Sequence, residues 1–258
     1  MDIKHSIRIA YALCALLAAL ALLTLGGCAA FGERSSRDAA AQLYAQAMQA
    51  LDAEQLDEAY ELLGTLRSDY PQTRQGQQAA LERAYVSYRL GRYREAIEQV
   101  ERFAAERPDA ATDDIRYALM LRASAAHALW EGESDPPDTA LARTAFAYYR
   151  QIVERFPEDE QARRALRHMS ELRRDLAAEE LRRARERYAA NDFVEAAERA
   201  AWIAEQYPGL QQAGDALALQ VAALEQLGRG REAAATRRML EIKHPDHPAL
   251  EALRDSRR

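Results

Sequence analysis

The residues of this 258-residue chain best suited to covalent chemistry are its two cysteines, and neither reads as a catalyst. Cys14 lies inside a nearly uncharged apolar run, Ile9 to Leu25, that follows Lys4 and Arg8. Cys28 comes after Leu25-Gly26-Gly27, an arrangement that looks like a bacterial lipobox. Cleavage before Cys28 would remove Cys14 and leave Cys28 with a lipid-bearing thiol and amino terminus. Several acyl chains on one residue bury many methylenes at about 0.8 kcal/mol each, so the attachment is durable where one chain is marginal. An uncleaved transmembrane anchor is the alternative, because the run is close to spanning length. After processing no thiol remains for a disulfide, a metal or catalysis.

Other chemistry is scarce. The chain has no His-Glu-x-x-His, no Gly-x-Ser-x-Gly and no phosphate loop, so neither an enzyme nor a resident cofactor is expected. His244-Pro245-Asp246-His247 could catch a metal adventitiously but reads as a polar helix stop. Nine arginines between Arg163 and Arg187 are interleaved with glutamates at helical spacing, as in Glu179 and Arg183; such surface pairs contribute about 0.2 to 0.5 kcal/mol and mark a solvated face. The net charge is −6, and becomes −7 without the leader, whose Asp2, Lys4 and Arg8 together carry +1. An acidic, exported chain is a poor nucleic-acid binder. What remains is recognition: Tyr44, Met48, Tyr85 and Tyr88 offer adaptable apolar contact with polar tips, suited to an extended peptide if one surface gathers them. The same side chains would equally fill space between packed helices.

The elements that must position these residues repeat along the chain. In Leu81 to Pro108, apolar residues recur at helical spacing on both sides of Gly91, which gives two short amphipathic helices folded back on each other. Twelve residues before Pro108 stands Ala96, and the same count links Pro71 to Ala59, Pro157 to Ala145, Pro208 to Ala196 and Pro245 to Ala233. A small residue is needed where the two helices of a hairpin cross closely, and proline ends the second helix at the residue before it. The proline steps of 37, 49, 51 and 37 residues describe a hairpin of roughly 34 residues with insertions in two copies. The expected fold is therefore all-α: about five helical hairpins in a superhelical solenoid, with repeats at about 38–74, 77–111, 113–158, 162–210 and 213–247. Residues 1–27 are the leader, 28–37 the lipidated cysteine and a flexible tether, and 38–258 the solenoid. Between Glu160 and Ala190 the sequence allows one long helix or two. Glu131 to Asp138, acidic with two prolines, is a loop inside the third repeat.

The small residues Ala47, Ala84 and Ala184 in first helices, the five alanines of the second helices and the closing prolines resemble the tetratricopeptide repeat. Five such repeats behind a lipobox, with the insertion in the third, are similar to the BamD family of outer-membrane assembly lipoproteins. The segments that carry this likeness are Leu43-Tyr44-Ala45, Ala84-Tyr85 to Tyr88, Val100-Glu101-Arg102-Phe103, Asp114-Ile115-Arg116-Tyr117 with Met120 and Arg122, and Asp175-Leu176-Ala177 with Glu180. The family's aromatic Tyr-Pro-Phe-Gly turn is Tyr70-Pro71-Gln72-Thr73 here.

The resemblance implies a non-catalytic periplasmic scaffold, anchored by lipid at Cys28 to the outer membrane, where Ala29 after the cysteine fits outer-membrane sorting. It implies that the first helices of the N-terminal repeats receive the aromatic-ended targeting strand of unfolded outer-membrane proteins, with Tyr44, Met48, Tyr85 and Tyr88 as candidates. It implies, too, that the C-terminal repeats dock a POTRA domain of a BamA-like barrel insertase through Arg199, beside other assembly lipoproteins. The competing expectation is a tetratricopeptide lipoprotein that docks peptidoglycan enzymes or Tol-Pal components.

Overall fold

The computed structural model describes residues 35–132 and 138–251. Helices α1 (35–52), α2 (Leu56–Asp69), α3 (Arg74–Arg89), α4 (Tyr93–Glu106), α5 (Thr112–Gly132), α6 (Thr139–Arg155), α7 (Glu160–Ala189), α8 (Phe193–Gln206), α9 (Gln211–Gln226) and α10 (Gly230–Lys243) follow in order, and no strand occurs among the described residues. Paired in sequence, they make five helical hairpins. The chain divides into two compact units, residues 1–121 and 122–258, with the boundary inside α5. Helix α1 already includes residues 35–37, which composition had assigned to the tether. Helix α7 is one continuous 30-residue helix, which decides between the two forms that the sequence allowed.

The turn inside a hairpin is built the same way four times. Glu54, Gly91, Asn191 and Gly228 have φ of 60°, 73°, 62° and 71°, the left-handed conformation of a helix end. Beyond each, the next N–H reaches back to close the last helical turn: Arg92 to the Ser87 carbonyl at 2.9 Å, Asp192 to Arg187 at 2.9 Å, and Gln55 and Arg229 likewise to Ala50 and Leu224 at 2.9 Å. The end of each second helix is equally regular. Tyr70, Arg107, Phe156, Tyr207 and His244 all lie at φ between −121° and −137° with ψ between 45° and 64°. Each precedes a proline, whose ring disfavours the helical region for the residue before it. Each also donates its N–H to the carbonyl four residues back.

Packing follows from the alanine stripe. Ala59, Ala96, Ala145, Ala196 and Ala233 are all buried, and so are Ala47, Ala84 and Ala184 on the facing first helices. Without a larger side chain at the crossing, the two backbones approach closely. One turn or two later come Leu66, Phe103, Ile152, Ile203 and Leu240, also buried; full burial of such a side chain stabilises by about 1.5 to 3 kcal/mol. Gly76 serves the same closeness between repeats: a Cβ there would collide with the Tyr70 carbonyl. Thr73 sets this approach, accepting the Gly76 N–H at 3.0 Å while its hydroxyl donates to the Tyr70 carbonyl at 2.8 Å.

Candidate functional sites

In the first unit, three successive first helices contribute to one aromatic face. Tyr44 of α1 donates its hydroxyl to the Glu82 carboxylate of α3. Around Glu82 also lie Tyr85 of α3 and, from α5, Tyr117 and Asp114. Burial pushes Glu82 above the ordinary carboxylate range; Asp114 adds to that shift, while hydrogen bonds from Gln78 and Tyr44 oppose it. Burial likewise raises Tyr44 and Tyr117, with Glu82 as the next cause in each case, so both phenols stay protonated and able to donate. Arg89 donates to the Tyr85 hydroxyl at 3.1 Å and pairs with Glu54 at 2.6 Å, tying this face to the turn of the first hairpin.

Of the four residues singled out by sequence, Tyr44 and Tyr85 meet at this face. Tyr88 turns instead toward Tyr93 of α4, ring centroids 5.6 Å apart, and Met48 packs on the first-repeat core beside Tyr44. Glu82 and Tyr117 were not identified as site residues. The signal was available in Tyr117, which lies within Asp114-Ile115-Arg116-Tyr117 and is 36% exposed, but it stands at no whole number of 37-residue steps from Tyr44 or Tyr85, so the repeat count does not gather the three.

In the second unit, Arg199 of α8 lies on a charged chain. Its Nε donates to Glu195 at 2.7 Å, its guanidinium is 3.9 Å from Glu180 of α7, and Glu180 accepts from Arg143 of α6 at 3.1 Å. Glu180 is only 7% exposed, so two arginines hold a buried carboxylate in place while their own heads reach solvent. These groups line a cavity of about 400 Å³ together with Trp202. Neither Trp202 nor Arg143 was foreseen as a site residue. Trp202 falls off the stripe Ala196, Ala200, Ile203, and an aromatic residue at such a position on an amphipathic helix must face outward.

Elsewhere, the arginine-rich α7 differs in one respect from a plain solvated face. Glu179 is buried and accepts from Arg182 at 2.7 and 2.8 Å and from Arg183 at 2.8 Å; the Arg182 bonds are the largest cause holding its carboxyl below the ordinary range. His247 accepts a structural role at the last repeat, with its Nε2 3.0 Å from Asp215 and its ring against Gly214, where a Cβ would lie 2.6 Å from the imidazole. Among the described residues no group of three or more His, Cys, Asp or Glu side chains is arranged to hold a metal, and no helix is long and apolar enough to cross a membrane. Cys28 lies outside the described residues.

Repeated hairpins with an alanine crossing, a left-handed turn and a proline stop define an all-α tetratricopeptide-repeat protein. Residues 36–240 match the family model described as YfiO, outer membrane lipoprotein, and the chain belongs to that family. Among relatives, the outer membrane protein assembly factor BamD of Neisseria meningitidis serogroup A is 30% identical over 217 residues, covering 81% of this chain and 80% of that protein. The assembly factor BamD of Vibrio cholerae is 26% identical over 231 residues, 86% of this chain and 95% of that protein. A TPR repeats protein of Bacteroides fragilis is a structural neighbour with a TM-score of 0.46 and 12% identity, covering 84% of this chain and 96% of its own.

Proposed function

We propose that this chain is a non-catalytic scaffold for the assembly of β-barrel proteins at the outer membrane, anchored to the periplasmic face through acylated Cys28. Family membership and relatives described as assembly factors support the general role. The observation that carries the mechanism is the convergence of Tyr44, Tyr85 and Tyr117 from three first helices around one carboxylate, Glu82. Three phenols on a rigid helical frame can stack on the side chains of an extended peptide and hydrogen-bond its backbone, with little conformational entropy lost. In this reading the targeting segment of an unfolded outer-membrane protein lies there. The second unit docks a POTRA domain of a BamA-like insertase at Arg199, whose pairing with Glu195 and Glu180 presents it in one orientation.

The test is a native pull-down of the lipidated protein from detergent-solubilised envelope, comparing wild type with Arg199→Glu and identifying partners by mass spectrometry. Recovery of a POTRA-bearing barrel, reduced by the charge reversal, is the expected result. Recovery of peptidoglycan enzymes or Tol-Pal proteins in its place would overturn the assembly reading.

A further inference from the structure

Trp202 is 41% exposed on α8, and its ring meets Tyr207 edge-on at 5.9 Å and 79°. Beyond the Arg199 cavity it also walls a second hollow of about 270 Å³, whose other walls include Phe146 of α6, Leu176 of α7 and Tyr207. The slot is lined mostly by apolar and aromatic side chains, with Arg143, Arg173 and Gln206 as its polar members. Arg143 is shared with Glu180 and remains half exposed. Arg173 makes only a long bond, 3.4 Å, to the neutral Gln206 carbonyl, and no carboxylate of the described residues lies within ion-pair distance of it. A slot of this kind is mostly apolar and carries two cations, one of them lacking a counter-charge. Its volume suits one large side chain and not a folded element.

We propose that the slot between Trp202, Tyr207, Phe146 and Leu176 receives an apolar side chain of a partner protein, with a neighbouring carboxylate of the same segment on Arg173 and Arg143. The inference rests on the reading that this unit docks a partner at Arg199, and it names the chemistry of that partner's anchor. Tryptophan and arginine are among the residues enriched at the hot spots of protein interfaces, where surrounding contacts keep water from the charge-assisted bonds. The complementarity is specific: a cationic residue beside the anchor would meet two guanidinium groups with no carboxylate free to receive it on this side of Trp202.

The chain has two tryptophans, and the other, Trp130, is buried, so the solvent-exposed part of the emission comes from Trp202, and Trp202→Phe supplies the Trp130 background. The experiment titrates the full chain in detergent with three capped peptides, Gly-Phe-Asp-Gly, Gly-Phe-Lys-Gly and Gly-Ala-Asp-Gly, and repeats the titrations on Trp202→Phe and Arg173→Glu. A saturable blue shift with the Phe-Asp peptide is expected, with the other two at least about tenfold weaker. The response should vanish in Trp202→Phe, and Arg173→Glu should shift the preference toward Phe-Lys. Equal titration by all three peptides of the wild-type chain would overturn the proposal, whatever the variants do. So would the absence of any Trp202 response while a partner is still captured by wild type and lost by Arg199→Glu, which leaves the docking reading intact. The peptide pattern without any effect of Arg199→Glu on capture would support the slot and remove Arg199 from the interface.

Discussion

At the scale of single residues, the structure separates side chains whose identity is forced by space from those forced by charge. Gly76 belongs to the first kind, since any Cβ would enter the Tyr70 carbonyl, a backbone atom held by Thr73 and unable to swing away. Gly76→Ala should therefore destabilise the chain by about 1 to 3 kcal/mol in urea unfolding. Gly230→Ala is the matched control: it opens a helix with free space around its Cα and should be neutral or slightly stabilising. An unfolding midpoint for Gly76→Ala equal to wild type would show that this approach is not rigid. His127 belongs to the second kind. It is buried against Tyr149, Trp130 and His168, with Glu131, Glu171 and Asp175 as its charged neighbours. Burial is the main cause holding its pKa below the ordinary value of 6.5, opposed by Glu131. The unfolded chain then takes up a proton at a pH where the folded chain does not, so stability is full above about pH 6.5 and falls as the pH drops below it. Urea unfolding at pH 7.5 and 6.0 should show that loss, and His127→Gln should shrink it without abolishing it, because burial depresses His244 in the same direction. Asp175 and Glu82, both raised chiefly by burial, act with the opposite sign, which is why the comparison is read through the His127→Gln difference.

At the scale of elements, the regular parts were those most legible in the sequence. Proline, the residue before it, and the alanine twelve positions earlier each answer one local steric demand, and five copies of the same demand leave five copies of the same signal. The turn residue was less visible, because Gly91 and Gly228 announce a left-handed conformation while Glu54 and Asn191 adopt it without the glycine. Asparagine tolerates that region, but a glutamate pays a Cβ clash of about 1 to 2 kcal/mol there. Glu54→Gly should consequently raise stability by roughly 0.5 to 1 kcal/mol, since the ion pair it gives up with Arg89 is exposed and worth little. A fall in the thermal midpoint would instead mean that the Glu54–Arg89 pair outweighs the backbone strain. The aromatic face was half legible for a related reason. Tyr44, Tyr85 and Tyr117 do not share one repeat position, since 37 residues on from Tyr44 and Tyr85 stand Leu81 and Arg122, so counting alone does not bring the three rings together. Tyr88 followed the same helical spacing, but it lies in the last turn of α3, where the hairpin partner Tyr93 is nearer than the neighbouring repeat. Trp202 and Arg143 were illegible as a pair, since they come from different hairpins and only the packing of α6 and α8 on α7 brings both to Glu180 and the adjoining slot.

At the scale of the whole molecule, each recognition face has its use only if the chain is held where its partners are. The two units supply different chemistry, phenols around a raised carboxylate in the first and arginines around a buried carboxylate and an open tryptophan in the second. In the proposed function both act on polypeptides that reach the periplasm, so attachment at Cys28 would raise the effective concentration of both faces at the membrane without adding a contact to either. None of the described helices is long and apolar enough to cross a bilayer. Cys28→Ser should therefore abolish labelling by a palmitate analogue and leave the peptide and partner contacts of the isolated protein unchanged. In fractionated envelopes it should also take the chain out of the outer-membrane pool. Continued labelling of Cys28→Ser would mean that the acyl chain sits elsewhere. A chain unlabelled in wild type but still sedimenting with membranes would point to the uncleaved apolar run Ile9 to Leu25 as the anchor. The measurement thus decides between the two attachments that the leader sequence permits, and it does so independently of which partner either face binds.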